Sequence, residues 1–476
     1  MTDPKTRRFF LGAVTAAAAT RVWGANDKIN VAIVGLGGRG SNHLNQYSRL
    51  PESRVAALCD VDQSARERAQ ATLAKGGFEK AKEFEDMRQA FADPGVDAVS
   101  IATPNHWHAL AAIWAMKAGK DVYGEKPACY NVYEGQKMVE VQRSTGKLMQ
   151  VGSQHRSTPF KMKAIAAMQQ GLIGKIYQAK GLCFKRRNTI GHAENEPTPP
   201  GVNWDLFLGP APMRPFNKLR FKYNWHWFWD TGNGDIGNQG VHEMGIARWG
   251  MGDPEWPKSA FAFGGKYAYQ DDQETPNTLL AGFNYGDREL VFEVRGLLTG
   301  GEGTPARRMG HPGGGRGGRG AAPGAPGAVA TSENAPPPVA PTPTVVGPAS
   351  NPLNVQVGDL FYGTEGWAAM SDMGFQAYKG ESSEIIMEER PERGQPGGDA
   401  TGLHMQNFLQ ACKSRNAKDL HDPLANAVHS AYLCHLANIS YRSGRKLTLE
   451  AGPKFTGDAE ATKMLTRDAY RKPYVV

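Results

Sequence analysis

The chain has 476 residues, 40% of them hydrophobic and 21% charged, with a formal net charge of +8. This is a soluble globular composition without an apolar run long enough to span a bilayer, and the length suggests two domains plus extras. Its basic residues are scattered rather than gathered into a stripe or helix face, which argues against a nucleic-acid partner.

In chain order, the first feature is "TRRFFLGAVTAAAAT", where Arg7 and Arg8 precede Phe9, Phe10, Leu11 and a short Ala-rich run. It is too short to span a membrane and resembles a twin-arginine export signal, predicted to occupy residues 1–25 and to deliver the protein to the periplasm or cell surface. Over residues 26–153, "INVAIVG", "RVAALCD", "DAVSIATP", "DVYGEKP" and "KLMQVG" read as strands. "SARERAQATLAKGG" and "HALAAIWAMKAGK" between them read as helices. Near-continuous apolar strands alternating with helices predict a parallel sheet covered on both faces. From Gln154 the texture changes to longer strands, aromatic clusters and two late helices, predicting a second, α+β domain over 154–476. Residues 300–352, rich in Gly, Pro and Ala, interrupt it. Such a segment cannot bury enough apolar surface to offset its ordering entropy, and it reads as a disordered surface insertion. The five cysteines have no paired spacing, so they read as small buried residues rather than a disulfide framework or zinc site.

The first strand runs into Gly35, Leu36, Gly37, Gly38, Arg39 and Gly40, and a helical segment follows. In this placement a G-x-G-x-x-G loop has a chemical purpose. The first glycine makes the turn, the second lets backbone approach a pyrophosphate, and the third lets helix and strand pack. The helix N-terminus then faces the phosphates with its free N–H groups. Asp60 ends the next strand; its carboxylate can accept from both ribose hydroxyls and would repel a 2′-phosphate, favouring NAD over NADP. Further on, Thr103, Pro104 and Asn105 follow a strand, with His108 opening a helix, and Glu125, Lys126 and Pro127 follow the next. Carboxyl ends of strands are where such sheets bind ligands. Glu-Lys pairs are ordinarily solvated, but beside a nicotinamide Lys126 can donate to a substrate oxygen.

The ordered runs "VAIVGLGGRG", "ATPNHWH", "EKP" and "GNQGVH" resemble the glucose–fructose oxidoreductase, inositol dehydrogenase and MocA family. "WDLFLGPAP", "FYGTEGWAAM" and "CHLANISYRSGRKL" are similar to its exported bacterial members. The resemblance implies a Rossmann domain followed by an α+β domain built on a large open, mostly antiparallel sheet. It also implies a nicotinamide cofactor, sugar or cyclitol substrates, and homo-oligomers packed through that sheet. Lys126 then corresponds to the family's EKP lysine, and Thr103, Asn105, His108 and Glu125 to cofactor-side positions. Arg156, in "GSQHRS", would reach substrate or cofactor from the domain junction.

The implied chemistry is hydride transfer, in which the protein must handle the hydroxyl proton. An imidazole suits that transfer near neutrality, and His242 is the family's histidine by position. The family pattern puts an aspartate four residues before it and often another three after; here those positions hold Asn238 and Gly245. On a regular helix, 238, 242 and 245 share one face, so the changes remove negative charge from one wall and widen it at Gly245. Asn238 can still bond a substrate hydroxyl or orient the ring, and Asp235 is close enough in sequence to substitute as the carboxylate. "HEMGI" is not a zinc motif, because Ile246 stands where a second histidine is required, and no metal is expected. Trp225, Trp227 and Trp229 alternate; on a strand they would share a face, open to use as a sugar platform or for core or subunit packing.

The expectation is an NAD-dependent oxidoreductase acting on a sugar, glycoside or cyclitol, with Lys126, His242 and Asn238 at the reacting hydroxyl. One alternative is glycoside cleavage through transient oxidation and elimination; another is a non-catalytic NAD- and sugar-binding protein.

Overall fold

The computed structural model describes residues 27–297, 299, 353, 355–392, 400–450 and 452–476; the expected export signal at 1–25 and the expected insertion at 300–352 lie outside the described residues. The first half alternates strand and helix: β1 (Ile29–Val34), α1 (Gly38–Tyr47), β2 (Ser53–Cys59), α2 (Gln63–Lys75), β3 (Lys82–Phe84), α3 (Met87–Ala92), β4 (Ala98–Ile101), α4 (Asn105–Lys117), β5 (Asp121–Gly124), α5 (Val132–Thr145) and β6 (Met149–Val151). All pairs are parallel, in the order β3-β2-β1-β4-β5-β6. The order reverses between β1 and β4, and this opens a crevice at the strands' carboxyl ends. The apolar runs of β1, β4 and β5 are buried on both faces, as a sheet between two helical layers requires. Side-chain caps set the helix starts: Asp62 accepts from Ser64 N, Asp86 from Arg88 N, and Asn131 from Glu134 N. Gly146, at φ +63°, stops α5. The predicted helix at His108 begins earlier, at Asn105, since Pro104 supplies the fixed φ and missing N–H that suit a helix start.

The second half contains α6 (Pro159–Gln169), β7 (Ile176–Phe184), α7 (Trp204–Leu208), a π-helical turn (Ile236–Gly240), α8 (Val241–Gly250), β8 (Ser259–Gly265), β9 (Thr278–Asn284), β10 (Glu289–Arg295), β11 (Val357–Gly363), β12 (Gly366–Ser371), β13 (Gly374–Lys379) and β14 (Ile385–Glu389). It closes with α9 (Thr401–Ser414), α10 (Leu424–Ser443), β15 (Leu447–Thr448) and α11 (Ala459–Lys463). Its sheet has nine strands in the order β14-β13-β12-β11-β7-β10-β9-β8-β15. Every pair is antiparallel except β7–β10. One face packs on α6, α8 and α10 through Ala179, Phe292, Phe361, Met244 and Leu436. Among the described residues no helix is long and apolar enough to cross a membrane.

The late helices are not confined to the second sheet. Met405, Phe408 and Leu409 of α9 join Ile33, Leu58 and Tyr123 in the nucleotide-side core. Leu424, Val428 and Ala431 of α10 pack with Val99, Ile113 and Val122. Further along α10, Leu433, Leu436 and Ala437 belong to the core of the nine-stranded sheet. A 20-residue helix has enough length to serve both halves.

Arg156 serves this junction and does not reach toward a substrate. It is buried; NH1 and NH2 donate to Asp253 at 3.0 and 2.6 Å, and NH2 donates to the Gly245 carbonyl at 3.3 Å. Its Nε lies 3.6 Å from buried Asp422. A planar guanidinium suits a two-carboxylate clamp of this kind. Replacing Arg156 with Leu strands those carboxylates and should cost about 3–5 kcal/mol. The check is a lower urea midpoint with NAD affinity unchanged; a weaker NAD affinity at unchanged stability would restore the ligand-contact reading.

Candidate active site

The glycine loop fits a dinucleotide on steric grounds. Gly35 takes φ +83°, and a Cβ there would lie 2.7 Å from the Ala102 carbonyl oxygen. A Cβ on Gly40 would lie 1.8 Å from the Gly35 oxygen, so α1 can approach β1 only without a side chain there. Gly37 caps α1 without a side chain, and nothing lies within 4 Å of where the Cβ of Gly37 or Gly38 would stand. The positive end of the helix thus opens onto free space, as a pyrophosphate requires. Asp60 sits at the end of β2; its Oδ2 accepts from Leu36 N at 2.6 Å and its Oδ1 from Asp62 N at 2.9 Å. Each oxygen keeps a lone pair for a ribose hydroxyl. Burial raises its pKa and the two backbone bonds oppose the rise. Thr103 Oγ1 is buried and makes no hydrogen bond within the described chain, leaving it for a ligand.

Three expected cofactor contacts have other work. Glu125 is buried and accepts from Arg39 Nε at 2.7 Å and His43 Nε2 at 2.9 Å. Arg39 and His43 hold its carboxyl well below the usual range against the cost of burial. The ring nitrogens of His108 face the carbonyls of Pro127 and Thr103, at 2.7 and 2.9 Å, so the ring ties together the loops beyond β4 and β5. Asn105 Nδ2 donates to Asn233 Oδ1 at 2.9 Å and joins the nucleotide side to the loop before His242. Sequence spacing shows position but not which partner occupies a polar group, and all three already have one.

Lys126 does reach across to the segment that holds His242. It follows β5, and its Nζ donates to the carbonyl oxygen of Asn238. Burial pulls its pKa down to about 8, with Glu125 opposing the fall. His242, in the first turn of α8, is buried, and neither ring nitrogen has a hydrogen-bond partner among the described residues. Burial, Lys126 and His155 together hold its pKa well below the usual imidazole range, so the ring is neutral.

The wall differs from the regular helix that the spacing suggests. The π-helical turn over Ile236–Gly240 adds a residue to the turn before α8. Asn238 is thereby turned toward Tyr223 OH and Asp235 Oδ1, at 3.1 and 3.3 Å. Asp235 does not replace the missing carboxylate of His242, because Arg187 Nε and NH2 hold both its oxygens at 2.8 and 2.6 Å. That pairing raises the Arg187 pKa. Nor does Gly245 widen the pocket: a Cβ there would point at Ser430 of α10, 3.5 Å away.

The tryptophans are not a strand-borne platform. Asn224–Trp227 is a 3-10 turn; Trp225 stacks on His226 at 3.5 Å, while Trp227 is buried beneath Arg187. Trp229 lies under the Arg442 guanidinium, 5.0 Å from its ring centre. Sequence reasoning passed over Arg187, Tyr223, Lys185, Gln239 and Glu243. Lys185 Nζ donates to Gln239 Oε1 at 3.3 Å, and Gln239 Nε2 donates to Glu243 Oε1 at 3.0 Å. Burial pushes Glu243 up to about 7. The available signal was "KRRN" at the carboxyl end of the central strand β7. Among the described residues no group of three or more His, Cys, Asp and Glu side chains is placed to hold a metal ion.

Residues 29–153 match an oxidoreductase family with an NAD-binding Rossmann fold, and residues 165–256 match its C-terminal alpha/beta domain. A glycosyl hydrolase family 109 protein of Stenotrophomonas maltophilia (strain K279a) is 32% identical over 182 residues, covering 36% of this chain and 40% of that protein. An inositol 2-dehydrogenase of Rubrobacter xylanophilus is 33% identical over 153 residues, covering 32% of this chain and 42% of that protein. The chain thus spans about two fifths of the length of these curated relatives. Among solved structures, the WlbA dehydrogenase from Bordetella pertussis, in complex with NADH and UDP-GlcNAcA, is 18% identical with a TM-score of 0.56. That likeness of fold covers 89% of this chain and 99% of that one. Matched in both halves, the chain belongs to the oxidoreductase family named for glucose–fructose oxidoreductase, inositol dehydrogenase and MocA, whose nucleotide domain binds NAD.

Proposed function

We propose that the protein oxidises or reduces a hydroxyl-bearing carbon of a sugar, glycoside or cyclitol with NAD as partner. The observation that carries this reading is the bond from Lys126 Nζ to the Asn238 carbonyl, which brings the strand-end lysine of the nucleotide side onto the segment that holds His242. When bound, the cofactor supplies the hydride acceptor; Gly37, Gly38 and Asp60 would hold its pyrophosphate and ribose. The neutral His242 ring takes the hydroxyl proton on a free nitrogen. Lys126 Nζ, with three protons to offer, donates to the same oxygen as negative charge develops there. Tyr223 OH and the Asn238 amide lie beside these groups and bond neighbouring hydroxyls.

A second reading draws on the similarity to a glycosyl hydrolase family 109 protein. Oxidation at one ring carbon acidifies the neighbouring C–H, a glycosidic group leaves by elimination, and a closing reduction returns the cofactor to its starting state. The twin-arginine segment supports export, and a periplasmic or cell-surface site of action is part of the proposal. The outer face of the nine-stranded sheet supports self-association. Phe261 and Phe263 of β8, which alternate with the core-facing Ala260 and Ala262, are 41% and 61% exposed there, and their rings stack with centroids 6.4 Å apart.

Purified protein with NAD and a panel of sugars, cyclitols and aryl glycosides should give ketone and stoichiometric NADH. Aglycone release without net NADH would select the cleavage reading, and no turnover by protein that binds NAD would reject both. In the dehydrogenase, H242A should lower kcat by about 10²–10⁴-fold. Because Lys126 loses its proton near pH 8, the rate should fall above that pH, and K126M should abolish that descending limb. Light scattering should find an oligomer that the exposed-face variant F263D dissociates; a wild-type monomer would remove the self-association proposal.

A further inference from the structure

Among the described residues His242 has no carboxylate partner; the ring that touches its own is another imidazole. The His155 ring packs against His242 edge to face, with centroids 5.1 Å apart and planes at 88°. His155 comes from the 3-10 turn Gln154–Ser157 that joins the two sheets, and its side chain is only 12% exposed. Behind it, Lys161 Nζ lies 3.0 Å from His155 Nδ1 and donates to Asp372 Oδ1 at 2.7 Å. The same Asp372 oxygen is 3.7 Å from His155 Nδ1. Lys161 is 2% exposed, whereas Asp372 is 56% exposed and opens the set to solvent. An ammonium has only protons to offer, so His155 Nδ1 accepts from it and the neutral ring carries its own proton on Nε2. The tautomer of His155 is thereby fixed from behind.

We propose that His155, held by Lys161 and Asp372, is the positioning residue of His242, setting its ring plane in place of the carboxylate that positions 238 and 245 do not provide. The inference rests on the reading of His242 as the proton acceptor. It substitutes for a carboxylate in geometry but not in charge. A carboxylate partner favours the imidazolium, whereas here the nearest charge behind the His155 ring is the Lys161 ammonium, paired in turn with Asp372. Lys126 after β5 and Arg39 on α1 act on His242 as cations, with Lys161 on α6 behind His155 and Lys185 after β7 beyond Lys126. The opposing groups are Glu125, Glu243 on the same helix, Asp359 on β11 and Asp372 after β12. Burial raises the pKa of both Glu243 and Asp359, which weakens their share of negative charge near neutrality. His242 therefore stays an uncharged acceptor at pH values where a carboxylate-paired histidine would already be protonated.

The test is an NMR pH titration of the full chain, labelled at histidine Cε1, with NAD present. Removing the cation in K161M should raise the His242 midpoint by on the order of one pH unit. D372N, which leaves that cation uncompensated, should not raise it. H155F keeps the edge-to-face packing without the ring nitrogens and should retain the His242 line shape, while H155A should broaden it. K161Q serves as the second variant should K161M not fold. An unmoved midpoint in a folded Lys161 variant, or an upward shift in D372N, overturns the inference. The titration needs no turnover. Turnover with an unmoved midpoint rejects the positioning role alone, and the expected shifts without turnover on any substrate reject the proposed function alone.

Discussion

The site depends on one buried negative charge. Glu125, at the end of β5, is taken out of water and compensated by Arg39 from the glycine-loop helix and by buried His43. A carboxylate so buried survives only because two donors meet it at hydrogen-bond distance. In return it pins the helix that faces the phosphates to the strand that carries Lys126. It also offsets part of the desolvation that would otherwise strip Lys126 of its proton. The glycine-loop helix and Lys126 are thus tied to a single ion cluster, and the geometry of one cannot drift without the charge state of the other.

Beyond that cluster the two walls of the cleft follow different electrostatic rules. The nucleotide wall uses fixed dipoles and a carboxylate whose lone pairs are partly taken by backbone. The opposite wall is crowded with basic groups, Lys126, Arg187, Lys185 and Lys161, each bonded to an oxygen acceptor. Burial and these cations keep the His242 imidazole neutral, with a ring lone pair left to accept a proton. Asn238 fits this arrangement better than an aspartate would, since Asp235 already neutralises Arg187 and Asn238 bridges Asp235 and Tyr223 without adding charge.

The nucleotide half was legible in the sequence because its constraints are local. Apolar runs of four to six residues give β1, β4 and β5, and glycine is demanded where a Cβ would strike backbone at Gly35 and Gly40. β3 was not visible: Lys82–Phe84 is a short edge strand with only Phe84 partly buried. The substrate wall was legible in membership but not in geometry. His242, Asn238 and Asp235 all lie there, but the π-helical turn breaks the four-residue periodicity that their spacing implies. Partners distant in sequence, such as Arg187 for Asp235, Asp253 for Arg156 and Arg442 over Trp229, leave no trace in spacing. Alternation of tryptophans misled in the same way, because a 3-10 turn and a strand can carry the same aromatic pattern.

The packing of α9 and α10 bears on how the chain is made. The nucleotide sheet is complete by Val151, yet Met405, Phe408, Leu424 and Val428 are built into its two cores. As the chain leaves the ribosome, its N-terminal half therefore waits for about 280 further residues before its apolar faces are closed, an interval that includes residues 300–352. Such long-range closure is slow and leaves apolar surface uncovered during synthesis. Folding is thus completed from the C-terminal end, and truncation anywhere before α10 removes part of the nucleotide-binding half as surely as a cut within it.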